Sequence, residues 1–596
     1  MPIHTDLPLD IDTVDVIIAG GGTTGCVIAS RLSDADPSLS ILVIEAGPNN
    51  YGDPTIVTPF LFISHLAPGS KTMSFHKGIK SKFLADREPI VPTARVLGGG
   101  SSVNMLMYSR GQRSDFDSWN VPGWSAEDLI PYMRKAETYH SDDPKRVHGT
   151  DGPIHISQGT FSATRSQDAF IEAAAQQGWK EVADLGDLEC VNGVQRAKRY
   201  ISLDGKRQDA AHKYLHPRLQ GGARPNLHVL VQAQVIRVTF DGKKASGITY
   251  QPSVTPEAGP RAVKARKLVV LSCGACGTPL VLERSGIGHK AILERANITP
   301  IVELSGVGDG YEDHHTMSYV YRSDLASDET LDGILNGSFD IPAMMQRNDK
   351  LIGWNCLDMT GKLRPSDEDV ASLGPGFREI WDRDFKKHPD RPLSLVVLVN
   401  GGAEPVGEPG QFFSISAFTA YPYSRGHIHI TGPGLDDPVD FEPGLLSDPE
   451  GVDILACRWV YKKQREIARR MKVYRGEVAS MHPPFSPDSE ARPTKSNEPP
   501  SVDVLDIKYS VEDDAVIDQW IREHVSTPWH SIATCKMAPL SEKGVVDGSL
   551  SVHGVEGLKI ADLSIPPENV GAHTNATALA IGEKAADIFT KELGLK

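Results

Sequence analysis

The chain has no run of about 18 consecutive apolar residues, so we predict that it has no membrane-spanning helix. It also lacks an excess of positive charge. Its 62 Lys and Arg against 77 Asp and Glu give a net charge of −15 over 596 residues. This balance argues against nucleic acid or an anionic membrane as a main partner.

Targeting signals are missing from both ends of the sequence. The opening MPIHTDLPLDID has no basic segment followed by an apolar one, and the final ELGLK is not an SKL-type peroxisomal signal. We therefore expect an intracellular, cytoplasmic protein.

Cysteine is scarce as well. The seven cysteines are an odd number spread along the chain, which is typical of reduced thiols inside the cell. Cys273 and Cys276 form a C-x-x-C pair, but no second pair exists to complete a zinc site, and no thioredoxin-like context surrounds it. We interpret both as packing residues. No cluster of His, Cys and Asp has ligand spacing, so we predict no metal site.

Glycine, by contrast, is plentiful, and it is patterned near the start of the chain. The stretch VDVIIAGGGTTGCVIASRL joins a β-branched strand to Gly20-x-Gly22-x-x-Gly25 and then to a helical pattern. A second strand, SILVIEAG, contains Glu45, which lies 45 − 25 = 20 residues after Gly25. This is the arrangement of a dinucleotide-binding βαβ unit.

Each residue of this pattern has a physical task. Gly20 allows a tight turn, Gly22 lets the backbone approach a pyrophosphate, and Gly25 lets the helix pack closely. The start of the helix, at Thr23 and Thr24, favours negative charge. Glu45 is expected to accept hydrogen bonds from ribose hydroxyls. These residues do not separate NAD from FAD.

A second glycine-rich stretch, ARVLGGGSSVNMLMYSRG, covers residues 94–111. Consecutive glycines cost backbone entropy, so they need a reason. Apolar residues flank the run, which argues against a flexible linker. We predict that the backbone here approaches a large flat ligand.

This stretch resembles the first signature of the glucose–methanol–choline (GMC) family of flavoproteins. GACGTPLVLERSGIG resembles the second signature, and PWHSIATCKM and LKIADLSIPPENVGAHTNATALAIGEKAADIF resemble the family's C-terminal catalytic segments. The resemblance runs in order from about residue 13 to residue 593. YKKQREIARRMKVYRGE and VEDDAVIDQWIREHVSTPWH are most similar to the fungal alcohol (methanol) oxidase branch.

The resemblance implies an α/β fold, α+β overall, in which a Rossmann-like FAD-binding domain is interleaved with a substrate domain built on an antiparallel β-sheet with helices. We expect the FAD-binding domain to comprise residues 12–160, 205–320 and 512–593, and the substrate domain to comprise residues 161–204 and 321–511. The alternating stretch FFSISAFTAYPYSRGHIHITG predicts two strands of the antiparallel sheet.

FAD is the cofactor that the resemblance implies. The segment 98–102 would pass beside the flavin and its diphosphate, Asn104 would lie near the reactive edge of the ring, and Asp562 would lie near the ribityl chain. Asn104 offers no nucleophilic side chain for covalent attachment. Trp529 could be either a pocket wall or a core residue. The expected cofactor-binding residues are Gly20, Gly22, Thr23, Thr24, Gly25, Glu45, Arg95, Gly98, Gly100, Ser101, Ser102, Asn104, Met105, Val235, Trp529, Asp562, Asn575 and Thr577.

Two histidines are the expected catalytic residues. By resemblance, His530 is the base that takes the hydroxyl proton while a hydride passes to flavin N5, and His573 orients the substrate oxygen. His314 and His315 match a "DH" turn of the family, and we interpret them as structural. The alcohol oxidase branch usually has Asn at the position of His573 and often an aromatic residue at that of Met105. The departure at His573 weakens the case for a methanol-like substrate, and the flexible thioether of Met105 gives a softer pocket wall.

Several functions therefore stay open at this point. The first is an alcohol oxidase that makes an aldehyde and passes electrons to O2, giving H2O2. A dehydrogenase with a quinone-type acceptor and a flavin-containing hydroxynitrile lyase are alternatives. An NAD-dependent enzyme is disfavoured by the two flavin signatures. The branch resemblance also suggests a homo-oligomer.

Overall fold

The computed structural model describes residues 3–141, 146–254, 257, 259–402, 407, 409–496, 498–501 and 503–595. Numbered along the chain, its strands are β1 (Ile3–His4), β2 (Thr13–Ala19), β3 (Ile41–Ile44), β4 (Met73–Lys77), β5 (Ile90–Ala94), β6 (Glu137–Tyr139), β7 (Ile154–Ile156), β8 (Lys180–Glu181), β9 (Gly193–Arg196), β10 (Leu227–Leu230), β11 (Ala233–Asp241), β12 (Lys244–Pro252), β13 (Arg261–Leu271), β14 (Ile287–Gly288), β15 (Val302–Glu303), β16 (Asp309–Tyr311), β17 (Thr316–Ser323), β18 (Leu357–Leu363), β19 (Ser394–Val399), β20 (Gln411–Thr419), β21 (Gly426–Ile430), β22 (Val439–Glu442), β23 (Tyr474–Glu477) and β24 (Leu558–Ile560).

The α-helices are α1 (Thr23–Ala35), α2 (Pro54–Val57), α3 (Gly100–Val103), α4 (Arg113–Asp117), α5 (Ala126–Ala136), α6 (Thr164–Gln176), α7 (His216–Leu219), α8 (Gly274–Arg284), α9 (Lys290–Arg295), α10 (Asp332–Leu335), α11 (Ile341–Gln346), α12 (Asp367–Ser372), α13 (Pro375–Ile380), α14 (Val452–Arg470), α15 (Val511–His524) and α16 (Asn575–Glu592). Short 3₁₀ turns cover Pro59–Leu66, Lys82–Leu84, Gln220–Gly222, Ser327–Glu329, Lys350–Gly353, Ala479–Met481 and Leu540–Glu542, and π-helical turns cover Ala211–Leu215 and Trp381–Phe385. In this described part of the chain, no helix is both long enough and apolar enough to cross a membrane.

An eight-stranded sheet forms one half of the molecule. Its strand order is β1-β10-β3-β2-β13-β12-β11, and β24 pairs with the C-terminal end of β13. Six of these strands run parallel to one another: β1, β10, β3, β2, β13 and β24. Strands β11 and β12 form an antiparallel hairpin. Strand β3 and the apolar end of β2 are buried throughout. This burial explains their continuous apolar runs, because a parallel sheet is covered on both faces.

A seven-stranded sheet forms the other half. Its order is β23-β17-β20-β19-β18-β9-β8, and all its pairs are antiparallel except β8 with β9. Helix α14 packs on β20 and on α6. The parallel sheet with helices and the separate antiparallel sheet confirm the predicted fold class.

One predicted strand lies elsewhere. The stretch expected to give two strands of the antiparallel sheet forms β20 in that sheet, but β21 joins a three-stranded sheet, β16-β21-β22. The prediction was therefore wrong for β21. The chain turns between the two strands because Asp453 accepts hydrogen bonds from the backbone N–H groups of Tyr423 and Ser424, at 2.9 Å each.

The chain crosses between the two large sheets repeatedly. It enters the seven-stranded sheet at β8 and β9, returns at β10 to β13, leaves again at β17 to β20 and at β23, and comes back at β24. The proposed domain division stays a prediction. One of its boundaries, residue 320, lies inside β17.

His429 on β21 is buried next to two carboxylates, and its ion pairs with them depend on pH. Its Nδ1 lies 2.7 Å from Glu283 Oε1, and its Nε2 lies 3.6 Å from Asp309 Oδ1. Burial alone would lower the pKa of His429, but the hydrogen bonds and charges of the two carboxylates raise it to about 9.

We predict that the ion pairs of His429 stabilise the folded protein less at alkaline pH. Because the pKa of His429 in the folded state is above its unfolded value, its contribution is complete below about pH 6.5 and is lost as the pH rises through about 9. The loss is up to about 3 kcal/mol. Urea unfolding of the wild type and of His429→Gln at both ends of this range should show their difference shrinking with pH. A constant difference would contradict the assignment.

Candidate active site

A cavity of about 940 Å³ lies between the two large sheets. This volume is at the upper end of the range for ligand pockets, about 300–1,000 Å³. On one side its wall is formed by the ends of β2 and β3 and by residues 233–235 on β11. On the other side the wall comes from β17 to β20. The cavity is therefore lined by residues of both halves of the fold.

The dinucleotide-type turn between β2 and α1 forms one end of the wall. Gly20 has a φ of +102°, and a Cβ at Gly20 or Gly25 would lie within 3.0 Å of a backbone carbonyl, that of Ser272 or of Gly20 respectively. At Gly22, by contrast, the nearest atom to an added Cβ is 3.7 Å away. Gly20 and Gly25 are thus required by packing, and Gly22 leaves the start of α1 open to the cavity.

Glu45 directly follows β3 and is buried at the cavity wall. Its carboxylate accepts hydrogen bonds from Gly21 N at 3.0 Å and from Gly47 N at 2.8 Å. Each carboxylate oxygen has two lone pairs, so acceptor capacity is left for a ligand hydroxyl.

The second glycine run packs against the first. Gly98 and Gly99 have φ values of +86° and +55°, and a Cβ on Gly99 would lie 2.8 Å from Gly22 Cα. Thr23 Oγ1 donates to Gly98 O at 3.2 Å. Of the three glycines in this run, Gly100 is the one that has open space at its Cβ position and also lines the cavity. The run therefore brings two backbone loops together as well as presenting backbone to the cavity.

Most of the predicted residues line this cavity. Those that do are Gly20, Gly22, Thr23, Thr24, Glu45, Arg95, Gly100, Asn104, Met105, Val235, Trp529, His530, Asp562, His573 and Asn575. Trp529 is consequently a wall residue rather than a core residue.

Five residues expected to bind the cofactor do not line the cavity: Gly25, Gly98, Ser101, Ser102 and Thr577. Ser101 Oγ donates to Gly98 O at 2.6 Å and accepts from Ala210 N at 3.0 Å, and Ser102 Oγ donates to Leu97 O at 2.8 Å. Gly25 lies under the turn, and Thr577 is buried in α16. Ser101 and Ser102 therefore hold the glycine run in place from behind instead of facing the cavity.

The sequence analysis missed the wall that follows β13. Residues 272–277 line the cavity. Asp562 accepts from Gly274 N at 2.9 Å and from Thr278 Oγ1 at 2.6 Å, so it fixes the start of α8. The signal was available, because KLVVLSCGACG has the same strand, glycine and helix order as the first turn. Cys276 lies in this wall as a free thiol, and burial raises its pKa to about 12.

The loop that carries His530 is held by a buried carboxylate. Asp313 accepts hydrogen bonds from His530 N at 3.0 Å, from Tyr311 Oη at 2.9 Å and from Thr527 Oγ1. Burial raises the pKa of Asp313 to about 6. Trp529, the neighbour of His530, has a φ of +65°, which a bulky residue adopts only under constraint.

A second buried carboxylate holds the loop of His573. Asp115 accepts from Gly571 N at 2.9 Å and from Tyr421 Oη at 2.7 Å, while His573 N donates to Ser109 Oγ at 2.9 Å. Burial raises the pKa of Asp115. Both histidines are thus placed by backbone contacts that leave the imidazoles free for other partners.

The imidazoles of His530 and His573 meet in the cavity wall. His573 Nδ1 lies 3.2 Å from His530 Nε2, and His314 Nδ1 lies 2.8 Å from His530 Nδ1. Burial lowers the pKa of His530 well below its usual range, that of His573 to about 4 and that of His314 to about 3. All three rings are therefore neutral near pH 7. Phe418 packs beside the pair, with ring centroids 5.7 Å from His530 and 5.3 Å from His573.

The residues present suit an elongated ligand with a negative group at one end and a ring near the histidines. The open start of α1 favours the negative group, and the side-chain-free wall at Gly99 and Gly100 can lie against a flat ring. Within the described residues, no group of three or more His, Cys, Asp or Glu is arranged to hold a metal ion.

Comparisons with known proteins agree with this geometry. Residues 14–316 and 422–582 match two family models, each described as GMC oxidoreductase. The chain therefore belongs to the GMC oxidoreductase family, which confirms the predicted family.

Particular relatives extend over nearly the whole chain. It is 36% identical to an alcohol oxidase of Candida boidinii, over 97% of this chain and 95% of the relative. It is 37% identical to an alcohol oxidase of Pichia angusta, over 98% and 96%. Among solved structures, it is similar to an FAD-dependent oxidoreductase from Chaetomium thermophilum, with a TM-score of 0.81 and 26% identity over 98% of this chain and 100% of that one.

Proposed function

We propose that this protein is an FAD-dependent alcohol oxidase, which converts an alcohol to an aldehyde and passes the electrons to O2, giving H2O2. Membership of the GMC family and the full-length similarity to alcohol oxidases support this function and confirm FAD as the predicted cofactor. The observation that carries the proposal is the meeting of His530 and His573 in the wall of the same cavity as the dinucleotide-type turn.

The residues at the glycine end would hold the FAD. The start of α1 at Gly22, Thr23 and Thr24 would take the diphosphate, and Val235 on β11 would contact the adenine through its backbone. When bound, the flavin supplies the acceptor for the hydride of the alcohol and returns the electrons to oxygen.

His530 is the proposed base. A general base must carry a free lone pair within hydrogen-bond reach of the hydroxyl proton, and the lowered pKa of His530 keeps the ring unprotonated at neutral pH. His573 would hold the substrate oxygen. After the transfer, a protonated imidazole would favour negative charge on a neighbouring oxygen.

The walls beside the histidine pair indicate the class of alcohol. Apolar residues of the cavity wall include Met105, Leu357, Val397, Val399 and Phe418, and Phe418 packs beside both rings. Since apolar surface gains free energy when it leaves water, we propose that the substrate is an alcohol with an apolar body rather than methanol. A homo-oligomeric assembly and an intracellular location stay predictions.

The function is tested by mixing the FAD-loaded protein anaerobically with linear primary alcohols and benzyl alcohol. We expect the flavin absorbance to bleach and, when air is admitted, H2O2 to form. Bleaching that only a quinone reverses would make the protein a dehydrogenase. Mandelonitrile cleavage without any bleaching would make it a lyase.

The alcohol series also gives a quantitative prediction. Each added methylene should raise kcat/KM roughly fourfold until the pocket is full, because burying one CH₂ contributes about 0.8 kcal/mol. The matched control compares 1-pentanol with butane-1,4-diol. The two chains have the same number of heavy atoms, but a hydroxyl replaces the terminal methyl group. We expect the diol to be the poorer substrate. A flat series, or equal rates for the two compounds, would contradict the proposed apolar pocket.

A further inference from the structure

His314 lies on the turn between β16 and β17 and is completely buried. Its Nε2 lies 3.1 Å from two backbone oxygens, those of Ala420 and Val570. Carbonyl oxygens only accept hydrogen bonds, so Nε2 must carry the ring hydrogen and donate to both. Because burial keeps His314 neutral, its Nδ1 has no hydrogen and can only accept.

This fixed end determines the direction of the next two hydrogen bonds. His530 Nδ1, 2.8 Å from His314 Nδ1, must be the donor of that pair. A neutral His530 with its hydrogen on Nδ1 has a bare Nε2. His573 Nδ1, 3.2 Å away, must then donate to that nitrogen. The Nε2 of His573 is in turn bare, and it is buried without a hydrogen-bond partner among the described residues.

We infer that His314 is a positioning residue that fixes the tautomer of His530, so that Nε2 of the ring presents a lone pair and never an N–H to the alcohol. The alcohol's hydroxyl group would replace the direct contact between the two rings, with its oxygen accepting from His573 Nδ1 and its hydrogen pointing at His530 Nε2. The inference rests on the proposed role of His530 as the base. The other main anchor of that loop, Asp313, bonds the backbone N of His530 and not its ring, so it cannot select between the two tautomers.

The arrangement also defines where the proton goes. The O–H bond of the alcohol breaks and a new N–H bond forms at His530 Nε2, which leaves His530 cationic with a hydrogen on both nitrogens. Its Nδ1–H still donates to His314. Since the Nε2–H of His314 stays bonded to two carbonyls, His314 supports the cation as an acceptor without releasing a proton on its far side.

Two variants separate this role from a structural one. In His314→Asn the amide Oδ1 can take the place of Nδ1 as an acceptor. In His314→Gln the longer amide can reach the two carbonyls, but it leaves no acceptor at the δ position. We expect His314→Gln to slow anaerobic flavin bleaching about tenfold, the scale of one hydrogen bond to a charged group, with KM little changed. His314→Asn should retain most of the wild-type rate. Equal rates in both variants would overturn the inference.

A binding measurement tests the tautomer without any turnover. The probes are tert-butanol, a hydrogen-bond donor that has no hydrogen to lose as hydride, and acetone, a similar-sized acceptor only. Shifts of the flavin spectrum report their binding. The wild type should prefer tert-butanol, and His314→Gln should move the preference towards acetone.

The wild-type result alone decides the matter if a variant fails to fold, since a preference for acetone would overturn the inference. The two proposals also fail separately. A protein whose flavin no alcohol bleaches is not an alcohol oxidase, yet its preference between the two probes still reports the tautomer.

Discussion

Replacement of His530 by alanine is expected to slow anaerobic bleaching of the flavin by an alcohol at least about 100-fold, the usual scale for loss of a general base. The expected loss is large because neither of the other two rings presents a lone pair at this place. The hydrogen of His314 is held against two carbonyls, and the His573 nitrogen that faces His530 carries a hydrogen and donates. Stopped-flow absorbance of the reductive half-reaction measures the effect.

The control for this variant is another buried imidazole. His482 Nε2 bonds Val320 O at 3.1 Å, and the residue does not line the cavity. His482→Ala removes a comparable ring, so it should cost stability but leave the bleaching rate close to that of the wild type. If His530→Ala is reduced as fast as His482→Ala, His530 is not the base.

Replacement of Gly25 by alanine is expected to abolish FAD binding. The new Cβ would lie within 3.0 Å of Gly20 O, a separation that real Cβ atoms essentially never show. Helix α1 must therefore move away from the turn, and the start of the helix would no longer meet the diphosphate. Overpacking of this kind also costs about 1–3 kcal/mol of stability. The ratio of flavin to protein absorbance after purification measures the loss.

Gly376 supplies the matched glycine. It lies exposed on α13, and nothing is within 4 Å of where its Cβ would be. Gly376→Ala should keep full FAD content and be slightly more stable than the wild type, because alanine reduces the freedom of the unfolded chain at no steric cost. Full FAD in Gly25→Ala would show that the close approach at Gly25 is not needed.

Local patterns predicted the first turn well, since the strand, glycines, helix and acid all lie within 33 residues (45 − 13 + 1). The second glycine run was only partly understood. Its backbone does approach a cavity at Gly100, but Gly99 is required by contact with Gly22, which lies 77 residues earlier. No local pattern contains that partner, because the fold creates the contact.

The histidines show the same limit. Resemblance to the family predicted both His530 and His573 as catalytic residues, yet it gave His314 only a structural role. The contact between His314 and His530 joins residues 216 apart. It depends on β16, β17 and the loop after α15 meeting, together with the carbonyls of Ala420 and Val570. The direction of the hydrogen bonds follows only from those carbonyls.

The order of strands in the parallel sheet has a consequence for synthesis. Strand β2 pairs with β13, β13 pairs with β24, and α1 packs against α16 at the far end of the chain. A ribosome adds about 5–20 residues per second, so roughly half a minute to two minutes separate the emergence of β2 from that of its last neighbours. The turn that would receive the dinucleotide is exposed and incomplete for all of that time. Capture of the cofactor is therefore expected to follow translation rather than accompany it.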